Sequence, residues 1–478
     1  MTAVALTPAT ETAFAQTDIS FEPCRLERAG LPAAFADCSR LAVPENPAEP
    51  DGETLEIFLA RIRSRNATPA DDPLLLINGG PGGSGVDLYL QARNAFAPTL
   101  LDRDIILVDQ RGTGRSIAGL DCEPPSDLEL ETAEPDELRG AVESCIEQFP
   151  RDAGLFTTSV AVRDLDRVRE ALGAPHWNIY GVSYGTRVAQ HYARRFPERV
   201  KTIILDGVIP PGLPLGPDIA RDAQAALDAL LLRCAQAAPC SGTFGDVAAK
   251  FAELLVRFED DSIEVLINDP SSGEPKLFEL TGMHLQSVVR LMSYNDATAA
   301  LLPLVINEAH KGNFEPLAAQ ADLVIESVAD SLGFAMHNSV VCSEDVPFFG
   351  PQAGATETAP YLGTAIVDSL SMICEIWPSG IVDEDFHDPL TSTAPALLLS
   401  GANDPVTPPA GAQAAAAGFE RSVHIIGRGK GHGIAAIGCV PRLIREFISA
   451  ADPQAISDDC LANEGPMPFF VGFRGPAP

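Results

Sequence analysis

Between residues 177 and 185 a short apolar run, Trp177 to Tyr180, breaks into Gly181, Val182, Ser183, Tyr184 and Gly185, and no other stretch restricts the fold as tightly. A serine flanked by glycines at these offsets fits a sharp strand-to-helix turn. A Cβ at either glycine would clash with the neighbouring strand and helix, and the turn lifts the serine hydroxyl clear of the sheet. The motif alone is common by chance, so its flanks decide. Upstream lies strand character, and downstream Val188, Ala189, Tyr192 and Phe196 recur at helical spacing until Pro197 ends the pattern.

The same alternation extends on both sides. Leu55 to Ile62 alternates like a half-buried strand, while Pro73 to Asn78 and Ile105 to Asp109 read as fully buried ones. Helical spacing runs over residues 84–101, and Val162, Leu165, Val168 and Leu172 form one face of a helix. After the serine turn a further strand ends at Thr202 to Leu205. Strands and helices in alternation imply a parallel sheet with helices on both faces. The alternation stops at residue 209, and up to about residue 388 the chain is mostly helical, entered through Pro210, Pro211, Pro214 and Pro217, as an inserted cap would be. Buried strands return at Pro395 to Ser400 and Val423 to Ile426. The expected division is therefore a tail at residues 1–20, a core at 21–208, a cap at 209–388 and a second core portion at 389–478.

The 478 residues carry 33 Lys and Arg against 66 Asp and Glu, a formal charge of −33, which repels nucleic acid and anionic membranes. No apolar run reaches about 18 residues, so no membrane span is expected. The ten cysteines fall as near neighbours: Cys24 with Cys38, Cys122 with Cys145, Cys234 with Cys240, Cys342 with Cys374, Cys439 with Cys460. Five local disulfides are the preferred reading, although sequence does not fix connectivity. Each unstrained bridge would contribute about 3 kcal/mol, and together they imply an oxidising compartment, secreted or periplasmic. No C-x-x-C pair has a companion histidine, so no zinc site is expected. Ala13, Phe14, Ala15 and Gln16 have the small-x-small form of a signal-peptidase site, so residues 1–20 read as a signal-peptide remnant or a disordered tail.

A serine hydroxyl is a poor nucleophile near neutrality and needs a histidine base, which in turn needs a carboxylate to hold its tautomer. On this kind of turn the three follow in the order serine, acid, histidine, each after a strand. Asp404 follows the 395–400 strand and His432, between Gly431 and Gly433, follows the 423–426 strand. Of the eight histidines only His424 and His432 follow Asp404, and His424 lies within a strand. Asp383, Asp385 and Asp388 are the alternative acids, but they precede the strand that should present the acid. An oxyanion needs backbone N–H groups, of which Tyr184 supplies one and the glycine-rich loop Asn78 to Gly85 the other.

These features resemble the α/β-hydrolase fold and, within it, the prolyl iminopeptidase and tripeptidyl aminopeptidase group of serine peptidases. The matching residues are Gly79 to Gly85, Asp109, Arg111, Gly112, Gly114 and Ser116, Gly181 to Thr186, Leu205 to Gly207, Asp404 to Pro408 and Gly431 to Gly433. Cys342, and Cys374 followed by Trp377 and Pro378, resemble the tripeptidyl branch, as does Asn78 where prolyl iminopeptidases carry histidine. The resemblance implies a mostly parallel sheet flanked by helices, with a large mainly helical cap inserted after the strand near residues 202–207. It also implies an exopeptidase that releases short peptides or single residues from free N-termini through an acyl-enzyme, with no cofactor and, as an expectation, a monomer. Gly80 is the expected second oxyanion donor, with Gly82 or Gly83 as alternatives. Arg111 is expected in a structural ion pair. A buried substrate ammonium needs a carboxylate, for which Glu344 and Asp345 are the candidates. Trp377 reads as a cap-core aromatic first and a cleft wall second.

The competing enzyme reading is a carboxylesterase or lactonase using the same residues on a small acyl substrate. A binding protein on this fold is disfavoured by the complete Ser183, Asp404 and His432 set, and dehalogenase or epoxide-hydrolase chemistry by the serine where those relatives carry a carboxylate.

Overall fold

The computed structural model describes residues 19–116, 135–259, 261–269, 272–329, 332–351, 353 and 361–476. Its centre is a nine-stranded sheet. The strands are β1 (Glu22–Leu26), β2 (Ala34–Pro44), β3 (Thr54–Ile62), β4 (Leu74–Ile77), β5 (Ile105–Val108), β6 (Trp177–Val182) and β7 (Val200–Asp206). A hairpin of β8 (Ile263–Asn268) and β9 (Pro275–Leu280) stands apart, and β10 (Ala396–Gly401) and β11 (Ser422–Gly427) complete the sheet. The order is β1-β2-β3-β5-β4-β6-β7-β10-β11, antiparallel as far as β5 and parallel from β5 to β11.

The interior parallel strands β4, β5 and β10 are four- to six-residue runs buried along their whole length, as strands covered on both faces must be. One face packs on the helices Thr158–Ala171 and Tyr184–Arg195 through Val162, Leu165, Val188 and Tyr192. The other packs on Gly85–Phe96 and Val440–Ala450 through Val86, Phe96, Leu443 and Phe447. This is an α/β-hydrolase fold. The chain enters the parallel part of the sheet at β4, steps to β5 on one side and returns as β6 on the other. The direction of winding therefore reverses at the C-terminal ends of β4 and β6, where such sheets leave a crevice.

Residues between β7 and β10 build a mainly helical insertion with a core of its own, including Leu227, Phe251, Leu285, Leu304 and Leu317. The β8–β9 hairpin belongs to it, with Val265, Ile267, Phe278 and Leu280 turned inward. The helical pattern of the sequence did not anticipate this hairpin, nor did it anticipate β1 and β2. Their alternation is broken by polar residues on partly buried positions. Among the described residues, bridges join Cys24 to Cys38, Cys234 to Cys240, Cys342 to Cys374 and Cys439 to Cys460. The expected partner of Cys145, Cys122, lies outside the described residues, as do residues 1–18 of the expected tail. No described helix is long and apolar enough to cross a membrane.

Candidate active site

Ser183 stands at the tip of the turn between β6 and the helix Tyr184–Arg195 with φ 55° and ψ −126°, a left-handed conformation that side-chain-bearing residues rarely hold. The turn is tight on both flanks. A Cβ on Gly181 would collide with the Gly185 carbonyl, and one on Gly185 with the carbonyls of Ile77 and Asn78. The Ser183 N–H donates to Asp206 O at 2.9 Å, tying the tip to the end of β7.

On the neighbouring strand ends, Asp404 follows β10 and His432 follows β11. His432 Nδ1 lies 2.8 Å from Asp404 Oδ2. The other carboxylate oxygen accepts the N–H groups of Val406 and Thr407 at 3.0 and 2.9 Å. Thr407 Oγ1 donates to Asp404 Oδ2 at 2.8 Å and sits 3.0 Å from His432 Nδ1, a contact the sequence reading missed. With Nδ1 directed at the carboxylate, Nε2 is the nitrogen left to act as a base. Burial works against the imidazolium, but attraction and hydrogen bonding from Asp404, aided by Asp206, outweigh it and raise the His432 pKa above its usual 6.5.

The ring is seated on Gly207. A Cβ there would lie 2.8 Å from His432 Cε1 and 2.9 Å from Thr407 Oγ1. Gly207 follows Asp206, whose partner across the ladder is Val182, the residue before Ser183. Serine and imidazole are thus brought to adjacent strand ends by the parallel register of β6 and β7. Asp206 lies in the Leu205 to Gly207 segment that sequence reading matched without giving it a role. It is fully buried and accepts from Tyr180 Oη at 2.9 Å and from the N–H groups of Ile434 and Ala435 at 2.9 Å, which anchors the loop carrying His432. Only its place at the end of an apolar strand signals it.

The glycine-rich loop after β4 meets the serine directly. A Cβ on Gly79 would lie 2.7 Å from Ser183 Cβ and 3.3 Å from its Oγ. The Gly79 N–H is spent on Asn78 Oδ1 at 2.8 Å and the Gly83 N–H on Gly79 O at 3.0 Å. Gly80, with φ 113°, is the next amide along. Tyr184 is the first helical residue, where the N–H has no acceptor within the helix. The insertion closes over this loop: Gly333 N–H donates to Gly82 O at 3.0 Å and His337 Nδ1 lies 3.1 Å from Pro81 O.

Two expected substrate contacts, Glu344 and Asp345, are corrected, and Trp377 takes the first of its two readings. Glu344 and Asp345 end a helix, Phe334–Glu344, whose docking drives them inward, and both are fully buried. Asp345 receives Arg187 Nη1 and Nη2 at 3.1 and 2.8 Å and Leu215 N–H at 2.6 Å. Glu344 accepts from Thr158 N–H at 2.6 Å and Thr158 Oγ1 at 2.8 Å. Every carboxylate oxygen is thus occupied within the chain and none faces an open cleft. Trp377 is 2% exposed, packed between Phe149 and Phe334, with Nε1 donating to Ser339 Oγ at 3.0 Å, so it is a core aromatic and not a cleft wall.

The other sequence-level alternatives resolve by geometry. Asp383 does pair with a histidine, but with buried His191 at 2.9 Å, on the far face of the helix after Ser183. Burial drives that imidazole down to about 4 and keeps it neutral. His424 Nε2 bonds Ser400 Oγ at 2.9 Å. Arg111 is buried in a bidentate pair with Asp164 at 2.7 and 2.8 Å and caps the carbonyls of Glu45 and Leu155, both at 2.9 Å. Beside Thr407 lies a cavity of about 240 Å³ whose walls include Asp218, Arg221 and Asp222.

A strand-to-helix turn bearing a serine, with a histidine and a carboxylate on later strand ends, is the arrangement of a serine hydrolase on the α/β-hydrolase fold. Residues 72–233 match the family model described as alpha/beta hydrolase fold, and residues 359–460 match one described as TAP-like protein. The chain is similar to the serine protease Hip1 of Mycobacterium tuberculosis, 28% identical over 433 residues that cover 82% of this chain and 80% of that one. It is similar to the tripeptidyl aminopeptidase of Streptomyces lividans at 30% identity, covering 41% of this chain and 39% of the relative. It is also similar to carboxylesterase B of Mycobacterium tuberculosis at 31% identity, covering 43% of each.

Proposed function

We propose that this protein is a serine aminopeptidase that releases short peptides or single residues from free N-termini. The observation that carries the reading is the His432 imidazole, hydrogen-bonded to Asp404 and seated on Gly207 next to the strand end that bears Ser183. Ser183 Oγ attacks the scissile carbonyl while His432 Nε2 takes its proton. The imidazolium, stabilised by Asp404, then gives that proton to the leaving amine, and water releases the acyl-enzyme by the same steps in reverse. The N–H groups of Tyr184 and Gly80 are the donors for the oxyanion.

A free N-terminus brings a positive charge. The cavity beside Thr407 supports its binding, because Asp218 and Asp222 outnumber Arg221, which bridges both at 2.8 and 2.9 Å. The relatives named serine protease and tripeptidyl aminopeptidase support peptide over ester substrates, and the disulfides support a secreted or periplasmic location. The insertion serves as the cap that bounds the cleft.

The test compares a free-N-terminus tripeptidyl chromogenic amide, its N-acetylated twin and a short acyl ester, with Ser183→Ala as control. Turnover of the free peptide that is lost on acetylation is the expected result. Ester turnover with neither amide cleaved overturns the peptidase reading and leaves an esterase.

A further inference from the structure

In an acid-rich chain the buried arginines mostly find carboxylates: Arg103 pairs with Asp72, Arg111 with Asp164, Arg169 with Asp166 and Arg187 with Asp345. Arg290, a half-buried arginine in the last turn of the insertion helix Gly282–Met292, does not. Among the described residues no carboxylate pairs with it, and its buried Nε, like that of Arg187, Arg195 and Arg233, has no hydrogen-bond partner. Leaving a guanidinium donor dry and unpaired is costly unless a ligand completes it.

Its position gives that vacancy of bonding a meaning. Arg290 Nη2 donates to Tyr294 Oη at 3.0 Å, and its guanidinium lies 5.7 Å from the Tyr294 ring centre. Tyr294 in turn meets His432 twice. Its carbonyl accepts the His432 N–H at 2.7 Å, and its ring stands against the imidazole at 5.1 Å between centroids and 68° between planes. A second unpaired donor lies in the same neighbourhood. Tyr361 is 6% exposed, its hydroxyl has no partner, and it lies within reach of the Arg290 charge. An arginine and a tyrosine hydroxyl with unspent donors suit a carboxylate, which accepts from both. Because His432 delivers its proton to the leaving amine, groups packed beyond the imidazole face the leaving side of the scissile bond.

We propose that Arg290, assisted by the Tyr361 hydroxyl, binds a carboxylate on the leaving segment of the substrate. The proposal rests on the peptidase reading for its substrate class. Two sources supply that chemistry: the C-terminal carboxylate of a short peptide, or an acidic side chain directly after the cleaved bond.

Four substrates separate them, each a free-N-terminus tripeptide joined to phenylalanine as the free acid, phenylalanine amide, aspartate amide or asparagine amide. The wild type should favour the carboxylate member of one pair in kcat/KM by about tenfold or more. Preference within the phenylalanine pair identifies the terminal carboxylate, and within the other pair the side chain. In Arg290→Met the ratio should fall to about one, Arg290→Lys should retain part of it, and Tyr361→Phe should reduce it at nearly constant shape. Thermal unfolding confirms that each variant is folded. No preference in the wild type, or one that survives in folded Arg290→Met, overturns the proposal and leaves the guanidinium only stacked on Tyr294. If no peptide is cleaved, the peptidase reading falls, and the carboxylate site is judged on 4-acetoxybenzoate against 4-acetoxybenzamide. A preference for the benzoate that Arg290→Met abolishes supports the site, and equal turnover overturns it.

Discussion

Two clusters of charged groups lie where the insertion meets the sheet, and they are built to opposite ends. At the strand ends, His432 keeps 11% of its side-chain surface exposed, and Ser183 is held in a backbone conformation it would not choose. Beneath the insertion, Arg187, Glu344 and Asp345 are 0–2% exposed, and every carboxylate oxygen accepts a hydrogen bond from within the chain. Both are buried acids held by donors. The first leaves one nitrogen of His432 for a proton from elsewhere. The second spends its carboxylates on Arg187 and Thr158 and locks the insertion to the helices it covers. Charge and burial together do not mark a reactive site; an unspent bonding position beside them does.

The comparison breaks if the strand-end cluster affects stability or the buried one affects chemistry. Ser183→Ala should lower kcat by about 10⁴-fold or more without lowering the melting temperature, and a large thermal destabilisation would make the strained serine structural. Asp404→Asn should cost up to about 10⁴-fold, because the amide no longer favours the tautomer that exposes Nε2. Its pH profile sharpens the point. Since Asp404 raises the His432 pKa, the wild-type kcat/KM should fall on acidification through a value above 6.5, where the base becomes protonated. The limb should move to lower pH in Asp404→Asn if enough turnover remains to measure it.

Asp345→Ala should destabilise the fold by about 3–5 kcal/mol, by stranding buried Arg187, while the protein that remains folded retains turnover. Lost activity at unchanged stability in denaturant unfolding would instead return Asp345 to substrate binding. The smallest effect belongs to Glu344, which burial pushes up to about 8 against the pull of Arg187. Between the ordinary glutamate range and pH 8 the folded state holds a proton that the unfolded chain releases, so stability contributed by Glu344 declines as pH rises through that window. Glu344→Gln should flatten the decline and add on the order of 1 kcal/mol near pH 9, read from unfolding midpoints at several pH values.

Much of the strand framework was legible because buried parallel strands are continuous apolar runs. Leu74–Ile77, Ile105–Val108 and Ala396–Gly401 fall within a residue or two of their sequence expectation. The antiparallel β1 and β2 and the β8–β9 hairpin were not, because a strand with one covered face carries a weak alternation that scattered polar residues erase. Glu344 and Asp345 were misjudged for a related reason. Nothing in the local sequence tells a carboxylate aimed at a cleft from one aimed at Arg187, 158 residues away from Asp345 in the chain.

The sequence by itself determined the class of fold and the serine turn with its two obligatory glycines, and it singled out Asp404 and His432, which the structure hydrogen-bonds to each other. These are set by local backbone geometry and by the order of strand ends, both of which short-range pattern encodes. Tertiary structure alone decided the seat of His432 on Gly207, the anchoring of its loop by Asp206, the neutralised Arg187 knot and the unpaired Arg290 behind Tyr294. Each depends on which distant side chain meets a buried charge, and the free energy of a buried charge is set by its partners in space and not by its neighbours in the chain.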